Sequence, residues 1–396
     1  MRSRLRWGAD VVVPLLLIGL YTTSAVAVVR YVTLVLLVLR LLTFLYARLG
    51  ARSLVITRSE HRISTSRFAP FDVVLTVRNR LPIPVHYVRI SDRAGAFHAR
   101  TPSTFVVGLG PFEELQIRYT LEGHERGDLQ LGPIDIAGTD ALGFFSYERQ
   151  IASQAQVVVY PSIFTLDMDQ KTGLPSGNLR VANRLYEDIT RFRSIREYQP
   201  GDELKRVNWK ASARLNKLFT MEYEPSIYFP ALVLLNLSAR DYPQAQRAHL
   251  VERAIEMAAS LLFYFVGLKQ EVGLLTSGKI GDVEGHPSAP IRPGYGHAKS
   301  ALEILARIAT TPPEAGGDFT DLVLRGDVAV QTGTRILVVS PPLRAAQITA
   351  LLSLRRRGYE VEVFLVSSQA TASEDLQVPG LRAHRVAGYG KALVGG

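Results

Sequence analysis

The run Ala231-Leu-Val-Leu-Leu-Asn-Leu-Ser-Ala-Arg240 sets the frame for the C-terminal half of the chain. Ala231–Leu237 is almost continuously apolar and about one strand long, as expected for a strand buried on both faces. Downstream, Gln244–Leu268 carries Val251, Ala254, Ile255, Ala258, Leu261, Leu262 and Phe265 at helical spacing. Glu271–Thr276, Arg335–Ser340 and Tyr359–Val366 then read as strands, and His297–Ala309 and Leu343–Arg357 as helices. This alternation predicts a doubly wound, mostly parallel α/β domain over 228–396, with Leu381–Val386 as an edge strand. Ligands of such sheets bind at the carboxyl ends of strands. The first such end here is Asn236-Leu-Ser238-Ala-Arg240.

Immediately upstream lies the densest patch of unusual chemistry, Arg196-Glu-Tyr-Gln-Pro-Gly-Asp-Glu-Leu-Lys-Arg-Val-Asn-Trp-Lys-Ala-Ser-Ala-Arg214. Pro200-Gly201 is a turn signal, proline fixing φ at the first central position and glycine accepting positive φ at the second. Asp202 is placed to cap the segment after the turn through a free backbone N–H. Lys205, Arg206, Lys210 and Arg214 then alternate with Val207, Trp209 and Ala211, and Tyr198 precedes the turn. The block has no His, no Cys, and no nucleophile with a base beside it, so it is a surface or a clasp before it is a catalytic centre. As a clasp, Arg196 and Arg214 would pair with acids and Trp209 would pack between domains. As a docking surface, Arg and Trp would be binding anchors. One Trp and one Tyr are thin for a nucleic-acid stacking platform, and no groove-reading motif is present. A basic face can also rest on anionic lipid.

Arg196-Glu-Tyr-x-Pro-Gly-Asp202 with Arg206, Trp209 and Ser212-Ala213-Arg214 resembles the signature of the bacterial family called domain of unknown function 58. These are membrane-anchored proteins with a von Willebrand factor A-like domain. A second block agrees: Arg126-Gly127, Leu131-Gly132-Pro133, Asp140 through Phe145, and Val159-Tyr160-Pro161. Asn208 departs from the pattern, standing where the family has Asp before the Trp. The resemblance implies a non-catalytic scaffold or adaptor that works with a MoxR-type AAA+ ATPase in an envelope-associated process. It also implies a metal position at the end of the first strand, where metal-binding relatives carry Asp-x-Ser-x-Ser, a later Thr and a later Asp. Here Asn236 replaces the first Asp, Arg240 replaces the second Ser, and Ser340-Pro341 stands at the later Asp. Ser238 remains and Thr320 matches the Thr, with Asp318 or Asp241 able to supply a carboxylate. Magnesium wants hard oxygen ligands with carboxylate charge, and a guanidinium nearby opposes it. No metal and no cofactor are therefore expected. A metal-dependent adhesion protein using this degenerate site is the alternative function, and a hydrolase a more distant one.

Between the N-terminus and the basic block the patterns change twice. Ala9–Tyr46 is almost continuously apolar, broken by Tyr21-Thr-Thr-Ser24, Arg30 and Arg40. This predicts a transmembrane hairpin within 1–50, roughly Ala9–Tyr21 and Val26–Tyr46, since a span needs about 20 residues. A cleaved signal peptide is the competing reading, given Arg2, Arg4, Arg6 and Ala25-Val26-Ala27. With Arg48 and Arg52 beyond the hairpin, the positive-inside rule places both ends in the cytoplasm of a bacterial inner membrane. From 51 to 163 short alternating runs take over: Val73–Val77, Val85–Ile90, Leu115–Leu121, Leu129–Ile136 and Gln156–Tyr160. Turns are expected at Asn79–Pro82, Gly108–Pro111, Gly123-His124 and Gly138–Asp140. These predict an antiparallel β-sandwich of immunoglobulin-like type. Residues 164–227 read as a connector, loop-like at Gly173, Pro175 and Gly177 and basic at Arg184, Arg191 and Arg193.

The remaining motifs fail. Gly294-Tyr-Gly296 has Lys299 where a dinucleotide turn needs its third glycine. Ser277-Gly278-Lys279 lacks the rest of a phosphate loop. The 8 histidines show no ligand spacing. With no cysteine among 396 residues, disulfides and thiolate sites are excluded. The net charge of +10 favours acidic partners.

Overall fold

The computed structural model describes residues 7–140, 142–166, 186–226, 230–281, 285–312, 319–324, 330, 333–367 and 380–386. Gly173, Pro175, Gly177, Arg184 and Asp318 lie outside them. The chain divides into two compact units, Met1–Ser162 and Ile163–Gly396.

The first unit opens with α1 (Trp7–Thr23) and α2 (Ala27–Ser53), which pack against one another as a hairpin. Both helices outrun the expected limits. Thr22 and Thr23 stay helical because their hydroxyls donate back to the Gly19 carbonyl, at 3.0 and 2.8 Å. Past Tyr46, α2 continues because Ala47, Gly50 and Ser53 turn inward and are buried. Strand β1 (Leu54–Arg58) comes next with no linker. The sequence suggests two spans. Among the described residues one helix, Ala27–Gly50, is long and apolar enough to cross a membrane, and the apolar part of α1, Val12–Thr23, is shorter.

After β1 come β2 (Arg62–Ser66), β3 (Pro70–Asn79), β4 (Val85–Asp92), β5 (Phe97–Ala99), β6 (Thr104–Leu109) and β7 (Glu114–Gly123). Then come β8 (Gly127–Leu131), β9 (Ile134–Thr139), β10 (Ser146–Ile151) and β11 (Ala155–Tyr160). They form sheets β1-β3-β7-β5, β10-β9-β4-β6 and β2-β11-β8. Their inward residues, among them Leu75, Val88, Ile90, Tyr119, Leu121 and Ile136, make one core. Three sequence expectations need correction. The sheets are not wholly antiparallel, because β2 and β11 run parallel. Leu129–Ile136 is two strands, divided at Gly132-Pro133, where Gly132 has φ +102° and proline has no N–H to give a ladder. Gly138 is not a turn residue. It pairs with Tyr147, whose ring fills the space a Cβ would need. The turn lies one step on, where Asp140 accepts from the Phe145 and Leu142 N–H groups at 2.6 and 3.3 Å.

This core also holds an ion pair. Arg58 Nη2 stands 2.8 Å from Asp92 Oδ2, and both side chains are fully buried. Tyr119 donates its hydroxyl to the same Asp92 oxygen. Burial, and then the bond to Asp92, push the Tyr119 hydroxyl well above its ordinary range.

The first strands of the second unit, among the described residues, are β12 (Tyr186–Glu197) and β13 (Phe219–Ser226), an antiparallel pair. This replaces the connector that the sequence suggests. Charged residues interleave with apolar ones along both strands, so neither has a clean period of two. Beyond them lie β14 (Ala231–Leu235), β15 (Val272–Thr276), β16 (Ser288–Arg292), β17 (Arg335–Ser340), β18 (Glu360–Val366) and β19 (Arg382–Val386). They form one sheet in the order β16-β15-β14-β17-β18-β19. All neighbours are parallel except β16, an antiparallel edge strand that tolerates Pro290 for that reason. The helices are α4 (Arg247–Gly267), α5 (Tyr295–Arg307), α6 (Phe319–Leu324) and α7 (Ala345–Arg356), with the short α3 described below. Helices α6 and α7 pack on the face carrying Leu232, Leu234, Ile336 and Val338. Helix α4 lies along β14, β15 and β17, and α5 packs on α4. The order reverses between β14 and β17, which is where open α/β sheets form their ligand crevice.

Candidate functional site

The basic block is the excursion at the closed end of the β12–β13 hairpin, where Glu197 pairs with Phe219. Gln199-Pro200-Gly201-Asp202 is a tight turn, with Asp202 N–H donating to Gln199 O at 3.0 Å and Gly201 at φ +112°. Arg196 grips Asp202 with two parallel bonds of 2.8 Å, a geometry that is both strong and directional. Asp202 does not cap the segment after the turn, contrary to the expectation from its position. It closes its own turn by accepting from Gln199 N–H at 2.9 Å. The Arg196 bonds, and then this N–H, hold its carboxyl below the ordinary aspartate range.

The cap of α3 (Trp209–Leu215) is Asn208, whose side-chain oxygen accepts from Ala211 N–H at 3.1 Å. Amide and carboxylate serve about equally there, so the departure at Asn208 keeps the cap and removes only its charge. Asn208→Asp should leave stability within about 0.5 kcal/mol, whereas Asn208→Ala should cost about 1 kcal/mol. Thermal melts of the full-length variants check both.

Behind the helix, Ser212 is buried and its hydroxyl accepts from Phe219 N–H at 2.9 Å. Val207 is buried and bridges to Thr220. Tyr198 N–H donates to Leu218 O. Arg206 pairs with Glu203, and Lys217 with Glu197 at 2.8 Å. The outward face differs in kind. Trp209 is 65% exposed, with Leu204, Leu215 and Leu218 also exposed. Lys210 and Arg214 are exposed on the same short helix. Within its own unit Trp209 has no packed position. The block separates into clasp residues (Arg196, Pro200, Gly201, Asp202, Ser212) and an outward face (Trp209, Arg214).

The second candidate lies at the switch point. Asn236 comes directly after β14, is fully buried, and its own N–H donates to Val339 O. Its side-chain nitrogen donates to Asp241 Oδ2 at 2.9 Å and to Ser340 Oγ at 3.0 Å. Its side-chain oxygen accepts from Ser238 N–H at 3.0 Å. Asp241 in turn accepts from Gln347 Nε2 at 2.7 Å, and Arg344 Nη2 stands 2.7 Å from its other oxygen. Arg344 also donates to the Arg240 carbonyl. Ser277 Oγ accepts from Leu237 N–H, and Thr311 donates to Ser277 O. Phe319 N–H donates to Ser238 Oγ at 3.3 Å, which sets the start of α6, and so the backbone of Thr320, beside Ser238.

A divalent ion does not fit this donor set. Among the described residues the one buried carboxylate here, Asp241, is already paired with a guanidinium, and the groups around it are an amide, hydroxyls and Gln347. Among the described residues no three His, Cys, Asp or Glu converge. The strand ends meet as expected, with Asn236, Ser238 and Ser340 together. Asp241, Ser277, Thr311, Arg344 and Gln347 complete the cluster. Of these only Asp241 stood out in sequence, because the others lie on separate elements with no shared spacing.

The family match falls within the second unit. Residues 194–376 match the family model described as "Protein of unknown function DUF58". The chain is 26% identical over 249 residues to the uncharacterized protein YeaD of Bacillus subtilis (strain 168), covering 59% of this chain and 57% of that protein. The chain thus spans a little over half of that relative's length. Among solved structures, native alpha-2-macroglobulin from Escherichia coli aligns with 28% of this chain and 17% of its own, at 16% identity and a TM-score of 0.23. The CARDB domain of a Pyrococcus furiosus protein aligns with 27% of this chain and 86% of its own, at 14% identity and a TM-score of 0.19.

Proposed function

Starting from a chain that belongs, through residues 194–376, to the family of proteins of unknown function DUF58, we propose a non-catalytic, membrane-anchored docking scaffold. The observation that carries this reading is the exposure of Trp209 on a helix whose inner side is fixed at every turn. Trp and Arg dominate binding hot spots. A preformed clasp lowers the ordering cost of association. Lys205, Lys210 and Arg214 favour an acidic partner surface and speed its encounter. The apolar helix Ala27–Gly50 supports the anchor. The positive-inside rule puts the docking face in the cytoplasm. The sheet cluster, with its carboxylate already paired, serves to fix the switch point rather than to hold a metal. The partner we infer is the MoxR-type AAA+ ATPase that the resemblance implies.

Affinity capture from gently solubilised native membranes, with ATP and Mg²⁺, tests the reading with full-length wild type and Trp209→Ala. Wild type should retain an ATPase. The variant, melting at the wild-type temperature, should retain about 30-fold less, as for a hot spot worth about 2 kcal/mol. Equal recovery by both forms, or an ATPase recovered by neither, would contradict it.

A further inference from the structure

The turn between β9 and β10 meets α2 partway along its apolar length. Phe145 lies edge-on to Phe44, with ring centroids 5.4 Å apart, and the Arg40 guanidinium sits 5.0 Å from the centre of the same ring. Arg40 and Phe44 fall inside the apolar stretch Ala27–Gly50, not beyond its end. Whatever packs at their level shares the level of that stretch. Yet the neighbouring turn residues Leu142 and Phe144 are 53% and 52% exposed. Leu41 and Leu42, beside Arg40 on the helix, are exposed too. The turn is built to hold this shape: Asp140 accepts from the N–H groups at both its ends, and Gly143 takes φ +74°.

The depth comes from helix geometry. At 1.5 Å per residue, α2 crossing about 30 Å of hydrocarbon from its start at Ala27 puts the near edge close to Ala47. Phe44 and Arg40 then lie about 5–10 Å inside that edge, the depth of interfacial insertion. Snorkelling and a nearby partner are what make intramembrane charge tolerable. The face of Phe145 gives Arg40 such a partner.

We propose that the β9–β10 turn, Leu142–Phe145, is a membrane wedge: it enters the bilayer interface beside α2, and lipid is what covers Leu142 and Phe144. This rests on the anchoring reading above. The second contact of the helix fits it, since Tyr46 donates to Pro84 O at 2.5 Å and stacks with His86, fixing the sheet end against α2.

The absence of cysteine makes the test direct. Single-cysteine variants Leu142→Cys, Phe144→Cys, Val35→Cys and Glu125→Cys of the full chain carry an environment-sensitive fluorophore. They are reconstituted in phosphatidylcholine–phosphatidylglycerol vesicles holding nitroxide lipids, labelled either near the headgroup or deep in the chain. Probes at 142 and 144 should shift to the blue and lose most of their emission to the shallow nitroxide. The probe at 35 should be quenched by the deep one, and the probe at 125, at the other end of the sandwich, by neither. If 142 and 144 behave like 125 while 35 is quenched, the anchor stands and the wedge is refuted. If 35 is not quenched either, the anchoring reading fails and the wedge falls with it.

Discussion

Asp92→Ala should cost the first unit about 3–5 kcal/mol, the penalty for leaving the buried Arg58 charge without its partner. Domain stabilities run to about 5–15 kcal/mol, so this one change removes a large share. Tyr119 would lose its acceptor as well, adding a buried unpaired hydroxyl. The triple change Arg58→Met, Asp92→Leu and Tyr119→Phe should recover most of the loss, because a buried ion pair gains little over well-packed apolar groups. Hydrogen exchange on β4 and β7 of the full-length variants checks both results. A single-variant cost below about 1 kcal/mol would mean that water reaches Arg58, contrary to the packing around it.

Asn236→Asp is the second large effect, and it bears on the metal alternative. The amide nitrogen that donates to Asp241 and Ser340 is replaced by an acceptor, and two carboxylates then face each other in a buried site. Like charges this close cannot both stay ionised. We expect a loss of about 3–5 kcal/mol near neutral pH. The loss should shrink on acidification, because the introduced carboxyl, once protonated, restores one donor. Linkage gives the sign: a folded-state carboxyl raised above its unfolded value loses stability as pH climbs through that interval. Millimolar Mg²⁺ should not rescue the variant while Arg344 holds Asp241. Melting curves with and without Mg²⁺ decide this. Rescue by the metal would show that the strand ends still form a cation site.

The α/β half was legible because its strands are apolar on both faces and its helices keep a single periodicity. The edge strand β16 was not, since Ser288-Ala-Pro-Ile-Arg292 has neither alternation nor length. The strands of the first unit showed through alternation, but Gly132-Pro133 and Gly138 misled in opposite directions. The first ends a strand that reads as continuous, and the second is a strand glycine shaped by the Tyr147 ring. At the basic block, sequence marked the residues as one group and left open which face inward and which outward. Pairing of Arg196 with Asp202 depends on a turn between them, while exposure of Trp209 depends on which side of α3 faces β13. Only the fold supplies that second fact. The Arg344–Asp241 pair joins residues from two distant elements, so no local pattern could have disclosed it.

Everything proposed for the basic block turns on the Trp209 face being a protein contact surface. Replacing Trp209 with an aromatic photo-crosslinking residue, which keeps a large ring at the anchor position, in the full chain irradiated in its native membrane tests this without an intermediate step. The same residue at Glu114, exposed on β7, is the control. One discrete adduct is expected from position 209, containing an AAA+ ATPase and competed away by added wild-type protein, with none from position 114. Adducts from position 209 that are absent, or that consist of lipid or of the same mixture seen at 114, would contradict it.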